Sequence, residues 1–284
     1  QIFFSMFILV KVCKVYNVKK KDSMIHKFNA FSDNYIWGIQ NENTFIVVDP
    51  GESVRVREFI KNSPDVKSLA CILITHNHHD HVGGISELLP FMTENTGISV
   101  KLNGRNLTSP PFIFGPPNCE EFGVNNFVKE GDILEVDDLC IKVMDISGHT
   151  KEHVGYYTHS DSIVCSRPIF FCGDTLFGGG CGRVLGGCIK SLYNAIQKIS
   201  LLPKETQIYC AHEYTEANLK FATELYPNDD RLMNRYFMVS RERKKNESTI
   251  PTLLSNELAT NPFLKCSSFT EFKRIRELKD CWKG

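Results

Sequence analysis

Short apolar runs rich in β-branched residues alternate with polar turn segments along most of the chain, and this pattern predicts mixed strands and helices. The predicted strands are Phe45–Val48, Leu69–Ile74, Ile98–Leu102, Leu139–Asp145, Ile169–Cys172 and Gln207–Cys210. Helical spacing of apolar residues predicts helices over Val54–Lys61, Gly84–Met92, Ile189–Leu201, Glu216–Leu225 and Asp230–Lys245. Beyond about Pro227 the pattern is mostly helical. We therefore expect an α+β protein with a larger domain over residues 24–226 and a smaller helical domain over residues 227–284.

Polar residues follow three of the predicted strands at the point where each strand ends. His76 comes two residues after Ile74, Asp174 two residues after Cys172, and His212 two residues after Cys210. Side chains placed just past buried strands lie in loops at one edge of a sheet, where functional sites collect. We therefore expect these residues to share one site.

The balance of basic and acidic residues limits the kinds of molecule that the protein is expected to bind. The 284 residues carry 33 Lys and Arg against 33 Asp and Glu, which argues against a nucleic-acid-binding protein. Residues 231–284 alone carry 12 basic against 6 acidic residues, as expected of a surface that attracts a small anion or of a solvated helical face. No apolar run approaches the ~18 residues needed to span a membrane, so no membrane association is expected.

The cysteines and the N-terminal residues give information about the cellular compartment of the protein. The eleven cysteines are odd in number, contain no C-x-x-C pair and suggest free thiols, with Cys71, Cys172 and Cys210 in the core. Residues 1–23 hold an apolar stretch, Ile2–Val10, followed by lysines. This segment is interpreted either as the remnant of a targeting leader or as a strand with a surface loop. The expected location is therefore the cytoplasm, or a mitochondrion or plastid if the segment is a leader.

Histidines are concentrated in one short segment. Four of the nine histidines fall in Thr75-His76-Asn77-His78-His79-Asp80-His81. Neutral imidazole and carboxylate are preferred ligands of zinc, iron and manganese. If the segment turns at a strand end, His76 and His78 point one way while Asp80 and His81 open a helix and face the other way. One loop then serves two metal positions.

The motif T-H-x-H-x-D-H resembles the signature of the metallo-β-lactamase superfamily. Three further segments, Ser147–Thr150, Gly173–Gly182 and Ala211–Phe221, resemble the glyoxalase II (hydroxyacylglutathione hydrolase) branch, as does Asp33–Trp37. The resemblance implies a four-layer αβ/βα sandwich with a smaller C-terminal helical domain.

The same resemblance implies a site for two divalent metal ions, expected to be zinc, with iron or manganese as alternatives. It assigns His76, His78 and His149 to the first metal and Asp80, His81 and His212 to the second. Asp174 would bridge them. His153 is interpreted as a packed histidine or as one that orients a ligand.

A metal-bound hydroxide, with Asp80 and Asp174 as the catalytic carboxylates, would attack a carbonyl. A thioester suits this chemistry because a thiolate leaves readily. The reaction implied is hydrolysis of S-D-lactoylglutathione to D-lactate and glutathione, the second step of methylglyoxal detoxification. The alternative is a persulfide dioxygenase-like enzyme of the same superfamily with one iron. A monomer is expected.

The resemblance also implies contacts with the glutathione arm from Arg183, Tyr214, Arg276 and Lys279. Arg276 and Lys279 are three residues apart, so they share a helix face suited to one carboxylate. The run Arg183-Val184-Leu185-Gly186-Gly187 departs from the family pattern, which often has an aromatic pair there. The proline-rich segment 109–126 is interpreted as a lid or as an insertion.

Overall fold

The computed structural model describes residues 24–41, 43–66, 68–92, 97–159 and 167–284. The predicted N-terminal extension, residues 1–23, lies outside the described residues. The strands are β1 (Met24–Ala30), β2 (Asn34–Asn41), β3 (Thr44–Val48), β4 (Ser68–Leu73), β5 (Val100–Leu102), β6 (Arg105–Asn106), β7 (Ile113–Gly115), β8 (Asn126–Phe127), β9 (Ile133–Val136), β10 (Leu139–Asp145), β11 (Val154–Thr158), β12 (Ile169–Gly173), β13 (Leu176–Phe177), β14 (Gly180–Cys181), β15 (Gln207–Cys210) and β16 (Thr252–Leu253). The helices are α1 (Val54–Asn62), α2 (His79–Val82), α3 (Ile85–Leu88), α4 (Ile189–Ser200), α5 (Thr215–Leu225), α6 (Asp230–Arg243), α7 (Leu254–Thr260), α8 (Pro262–Lys265) and α9 (Phe269–Cys281).

Two mixed sheets form the centre of the molecule. Within the described ranges the first sheet has the order β1-β2-β3-β4-β7-β8, and the second has the order β16-β15-β12-β11-β10-β9-β5-β6. In the first sheet β1, β2 and β3 are antiparallel, whereas β3, β4, β7 and β8 run parallel. In the second sheet only the β12–β15 pair is parallel. The parallel strands β12 and β15 end at the same edge of the second sheet and can deliver side chains to one site.

The burial pattern explains why these segments form strands. Every residue of β3 and β4 is buried, as expected of strands covered on both faces. Strand β10 instead alternates, with Ile141 and Val143 buried and Cys140 and Lys142 exposed. Helix α4 buries Leu192, Ala195, Ile196 and Ile199, which recur at helical spacing and face the core. The mixed α and β composition predicted from the sequence is therefore confirmed.

The predicted helix Gly84–Met92 is wrong in one respect. The structure divides it into α3 and a 3₁₀ turn, Leu89–Phe91, because Pro90 has no N–H with which to continue an α-helix. Part of the segment 109–126 lies in the core. It contains β7, which pairs with β4 and buries Ile113 and Phe114 in the core.

The C-terminal helices pack on the core of the sheets. Phe263 of α8 and Phe272 and Ile275 of α9 belong to the same buried cluster as the strands. Strand β16 lies antiparallel to β15 and extends the second sheet. The domain limits 24–226 and 227–284 stay predictions. Among the described residues, no helix has the length and apolar character to cross a membrane.

Candidate metal centre and substrate cleft

The seven predicted metal ligands come together at one edge of the two sheets. They lie in the loop and short helix α2 after β4, in the loop between β10 and β11, and directly after β12 and β15. They form two adjacent groups, His76, His78, His149 and Asp174, and Asp80, His81 and His212. Within each group the possible ligand atoms lie within 4.8 Å of one another.

The first group joins three imidazoles around a common centre. His76 Nε2 lies 3.0 Å from His78 Nδ1, and His149 Nε2 lies 3.1 Å from the same atom. Ligands of a tetrahedral zinc ion with bonds of about 2.0–2.1 Å stand roughly 3.3 Å apart. The spacing of these three nitrogens therefore fits a single cation.

The second group combines two imidazoles with a carboxylate. Asp80 Oδ2 lies 3.4 Å from His212 Nε2 and 3.7 Å from His81 Nε2. Asn34 donates a hydrogen bond of 2.8 Å to the same carboxylate oxygen. This amide fixes the orientation of Asp80 toward the two rings.

Asp174 lies between the two groups. Its Oδ2 is 3.6 Å from His149 Nε2 and 3.4 Å from His212 Nε2, and its Oδ1 is 3.6 Å from His81 Nε2. One carboxylate thus faces ligand atoms of both groups. This is the geometry that a carboxylate shared by two cations requires.

Four buried side-chain atoms in or beside this cluster lack a hydrogen-bond partner among the described residues: His81 Nδ1, His81 Nε2, His153 Nδ1 and Asp174 Oδ1. Of these, His81 Nε2 and Asp174 Oδ1 face each other. A buried polar atom without a partner costs about 1–3 kcal/mol, and a cation between the two atoms would satisfy both. Neutral imidazole and carboxylate form a donor set that zinc, iron and manganese accept. The residues present therefore fit two metal ions.

In three of these histidines a hydrogen bond at Nδ1, on the side of the ring away from the cluster, directs Nε2 toward the cluster centre. His149 Nδ1 lies 2.7 Å from the carbonyl oxygen of Arg183, and His76 Nδ1 lies 3.1 Å from Thr75 Oγ1. His212 Nδ1 lies 2.8 Å from Asp33 Oδ1. Such partners fix the tautomer and the ring orientation of metal-binding histidines. In each case the Nε2 lone pair is left facing the centre.

Asp49 was not singled out from the sequence, yet it supports the cluster. It is buried at the end of β3, where its two carboxylate oxygens accept hydrogen bonds from Thr75 N and Thr75 Oγ1. Its Oδ2 also lies 3.0 Å from His81 Nδ1. The sequence does contain a signal for Asp49, because this carboxylate follows a predicted apolar strand just as Asp174 does. Asp33 directly precedes β2 and Asn34 begins it, within the segment that carries the family resemblance.

His153 is buried and stacks on His76, with ring centroids 4.5 Å apart. Its Nε2 lies 3.3 Å from the backbone N–H of Asp174, which donates to it. The ring therefore contacts two cluster residues from behind.

The two groups differ in their electrostatics. Burial lowers the pKa of His76 and His149, so these imidazoles are neutral. Burial also opposes charge on His81, but Asp174 and Asp49 outweigh it and raise the pKa of His81 to about 10. Burial alone would raise the pKa of the Asp174 carboxyl, but the neighbouring His81 and His212 outweigh this effect and hold that pKa well below the usual range. The carboxylates of Asp174 and Asp49 therefore favour positive charge at the position of His81.

A cleft of about 600 Å³ opens beside the cluster, and His149 and Asp174 line it. The four predicted substrate contacts line the same cleft: Arg183, Tyr214, Arg276 and Lys279. The ring of Tyr214 stacks on His212, with centroids 4.7 Å apart. Leu185, which departs from the family pattern, is an exposed apolar residue in this cleft.

Two of the cleft cations are free to meet an anion. The side chain of Arg183 is 63% exposed, and its Nε lies 3.7 Å from Asp280. Lys279 Nζ rests 3.9 Å from the centroid of the Trp282 ring. Burial and the neighbouring Arg276 and Arg183 lower the pKa of Lys279 to about 8.

Arg276 is placed differently from its expected position on an open helix face. It is buried, and its Nη1 donates to the carbonyl oxygens of Cys181 at 2.9 Å and Gly182 at 3.3 Å. Its Nη2 lies 3.1 Å from Asp280. Arg276 therefore holds the loop that forms the floor of the cleft.

Comparison with known proteins defines the class. Residues 31–212 match the family described as Metallo-beta-lactamase superfamily, and residues 213–282 match Hydroxyacylglutathione hydrolase C-terminus. The fold is similar to that of ETHE1 from Myxococcus xanthus, with a TM-score of 0.61 at 22% identity over 92% of each chain. It is also similar to BLEG-1 B3 metallo-β-lactamase, with a TM-score of 0.59 at 17% identity over 86% of this chain and 100% of that one. The chain belongs to the metallo-β-lactamase superfamily, and the predicted fold is confirmed.

Proteins with similar sequences define the branch of the superfamily to which the chain belongs. The hydroxyacylglutathione hydrolase of Pectobacterium atrosepticum is 35% identical over 89% of this chain and 97% of its own length. That of Prochlorococcus marinus (strain SARG) is 36% identical over 94% and 100%, respectively. The chain therefore belongs to the hydroxyacylglutathione hydrolase, or glyoxalase II, family of thioester hydrolases.

Proposed function

We propose that this protein hydrolyses S-D-lactoylglutathione and related S-2-hydroxyacylglutathiones to the hydroxy acid and glutathione, the second step of methylglyoxal detoxification. The observation that carries the proposal is the seven-residue cluster beside a cleft lined by cations. Family membership supports the same reaction.

The proposed metal ligands are His76, His78 and His149 for one ion, and Asp80, His81 and His212 for the other, with Asp174 shared. We propose zinc as the metal. Bound there, two cations would lower the pKa of water to about 7 and polarise the thioester carbonyl.

The chain's own residues prepare the reaction. Asp174 and Asp80 are oriented by buried neighbours and hold negative charge close to the histidines. The Nδ1–H groups of His149 and His212 donate hydrogen bonds to Arg183 O and Asp33 Oδ1, and these bonds keep each Nε2 available. This arrangement is formed before substrate binds, and preorganisation of this kind lowers the cost of reaching a charged transition state.

The cleft side chains supply the recognition of glutathione. Arg183 and Lys279 offer positive charge to its carboxylates, and Tyr214 places an aromatic ring against His212. Arg276 lines the same cleft and is proposed as a further contact, through the part of its guanidinium that the loop carbonyls do not occupy. A lysine and an arginine suit a substrate with two carboxylates, and the exposed pair of Arg183 with Asp280, at 3.7 Å, can open to admit one of them.

The alternative, a persulfide dioxygenase-like enzyme with one iron, is the weaker interpretation. Seven potential ligands in two groups exceed what one iron needs. The likeness to ETHE1, at 22% identity, supports the fold alone.

The direct test is thiol release from S-D-lactoylglutathione by the zinc-loaded protein. S-lactoyl-N-acetylcysteamine, which has the thioester but no carboxylates, is the matched control substrate. We expect turnover of the first, and a much higher KM for the second. Absence of turnover by a protein that holds two metal ions would overturn the proposal, and glutathione persulfide would then be the next substrate to assay.

A further inference from the structure

A glycine-rich hairpin connects the proposed shared ligand to the cleft. This hairpin, residues 176–182, consists of β13, β14 and Gly182. Its end lies against the cluster, because a Cβ atom at Gly182 would stand only 2.1 Å from the carbonyl oxygen of Asp174. The next residue, Arg183, supplies the carbonyl oxygen that faces His149 Nδ1. Any shift of the hairpin therefore displaces groups that position two of the proposed ligands.

Side chains from the C-terminal helices hold the other side of this hairpin. Asn261 Nδ2 donates to the carbonyl oxygens of Phe177 at 3.2 Å and Gly180 at 2.9 Å. Glu257 Oε2 accepts a hydrogen bond of 2.8 Å from Gly179 N. Both side chains are completely buried.

Glu257 is itself fully paired. Its Oε1 accepts a hydrogen bond of 2.7 Å from Thr252 Oγ1 and forms an ion pair with Arg235 of α6. Its Oε2 also accepts from Asn261 Nδ2 at 3.1 Å. A buried carboxylate is tolerated only when such partners satisfy it, and a fully satisfied network is rigid. The hairpin is therefore fixed by a rigid polar network.

We propose that Glu257 and Asn261 are positioning residues for the metal centre, acting through the backbone of the hairpin on Asp174 and His149. The inference rests on the proposed two-metal function. It assigns the C-terminal helices a second role beyond lining the substrate cleft. Removing these contacts is expected to weaken the retention of metal even in the absence of substrate.

The test uses two variants and one control. Asn261→Ser keeps a side chain that can cap α8 but cannot reach the two hairpin carbonyls. Glu257→Gln keeps the size of the side chain and removes its charge. Val239→Ala is the control, because it removes buried apolar volume between α5 and α6 without altering either polar residue.

Each zinc-loaded protein is mixed with a chelator, and the rate and stoichiometry of zinc release are measured. Circular dichroism on the same samples gives the folded fraction. Loss of a group that orients a metal ligand typically costs 10–100-fold in metal affinity, so we expect zinc release at least about tenfold faster in Asn261→Ser. Glu257→Gln is expected to show a smaller change in the same direction, and Val239→Ala the wild-type rate.

Wild-type release rates in both polar variants, or equal acceleration in Val239→Ala, would overturn the inference by showing that the network only stabilises the fold. The assay contains no thioester, so failure here is distinct from failure of the proposed reaction. Wild-type protein that retains no zinc would defeat both proposals together.

Discussion

The metal cluster and the wall of the cleft, formed by Arg183, Tyr214, Arg276 and Lys279, both contain ionisable side chains, but some of these are held in opposite ways. In the cluster, His149 and His212 are buried, and each has a partner within 2.8 Å on its outer nitrogen. On the wall, Arg183 projects into solvent, and Lys279 rests on an aromatic ring. The cluster is fixed by short hydrogen bonds, whereas these two wall cations are held by longer contacts, such as Lys279 Nζ to Ala217 O at 3.4 Å.

This difference matches the demands of the two regions. Groups that stabilise a transition state must be in place beforehand, because reorganisation during the reaction costs free energy. Groups that bind the arms of a flexible anion can adjust to it. Substitutions in the cluster should therefore lower kcat, and substitutions on the wall should raise KM.

The largest effect is expected for Asp174→Asn. This change removes the one carboxylate, among the described residues, that faces both ligand groups, and it replaces a charged oxygen ligand beside His149 and His212 with a neutral amide, which binds a cation more weakly. Loss of a group outside the coordination sphere already costs 10–100-fold, so kcat should fall more than about 100-fold. Metal content should fall from two ions toward one by elemental analysis. Glu58→Gln, at an exposed position on α1, is the control and should keep both.

A smaller loss is expected when the groups behind the ligands are changed. Asp49→Asn keeps the shape of the side chain but turns an N–H toward His81 Nδ1 and Thr75 Oγ1, which are themselves donors. Since Asp49 is buried and water cannot replace it, kcat should fall by about 10–100-fold.

Asp33→Asn makes the matching change behind His212. The Asp33 side chain is 38% exposed, so water can take over its hydrogen bond. Its loss in kcat should be several times smaller than that of Asp49→Asn. Equal losses in the two variants would show that burial does not distinguish the carboxylate behind His81 from the carboxylate behind His212.

The cluster was accessible from the sequence because its residues follow strands and carry distinctive chemistry. The positions after β4, β12 and β15 were predicted from apolar runs that the structure confirms. Strands β1 and β2 were not predicted. β2 buries nearly every residue, and Asn34, Gly38 and Gln40 fall among its apolar positions. The segment therefore shows neither the two-residue period of a half-buried strand nor the 3.6-residue period of a helix.

The wall was harder to predict because its arrangement depends on contacts between residues that are far apart in the sequence. The family resemblance pointed to Arg276 and Lys279 on α9 as substrate contacts, their spacing predicted a shared helix face, and both residues line the cleft. The spacing did not reveal that Arg276 is buried against the carbonyl oxygens of Cys181 and Gly182, about 95 residues earlier. A helix period indicates which residues share a face, but not what that face meets in the folded chain.

The wall should respond to pH through Lys279. Its pKa is lowered to about 8 by burial and by the nearby arginines, so its positive charge is present below that pH and is lost above it. KM for the anionic thioester should therefore rise as the pH increases through about 8. Lys279→Ala should raise KM about tenfold at pH 7, with kcat little changed.

Lys279→Arg is the matched control for this titration. Arginine stays protonated throughout the range, so the rise in KM near pH 8 should disappear while binding at pH 7 is kept. Subtraction of non-enzymatic thioester hydrolysis at each pH is part of the measurement. A rise of the same size in the arginine variant would assign the titration to the substrate or to another group.

The smallest effect is expected for Arg183→Ala. The guanidinium is exposed and lies 3.7 Å from Asp280, and solvated pairs of this kind contribute only about 0–1 kcal/mol. The backbone carbonyl that orients His149 is kept in the variant, so kcat should not change. KM should rise only about two- to fivefold, and this difference should shrink as salt screens the charge. A large fall in kcat would instead mean that the side chain of Arg183 is as firmly held in the working enzyme as the histidines, and the contrast between wall and cluster would not hold.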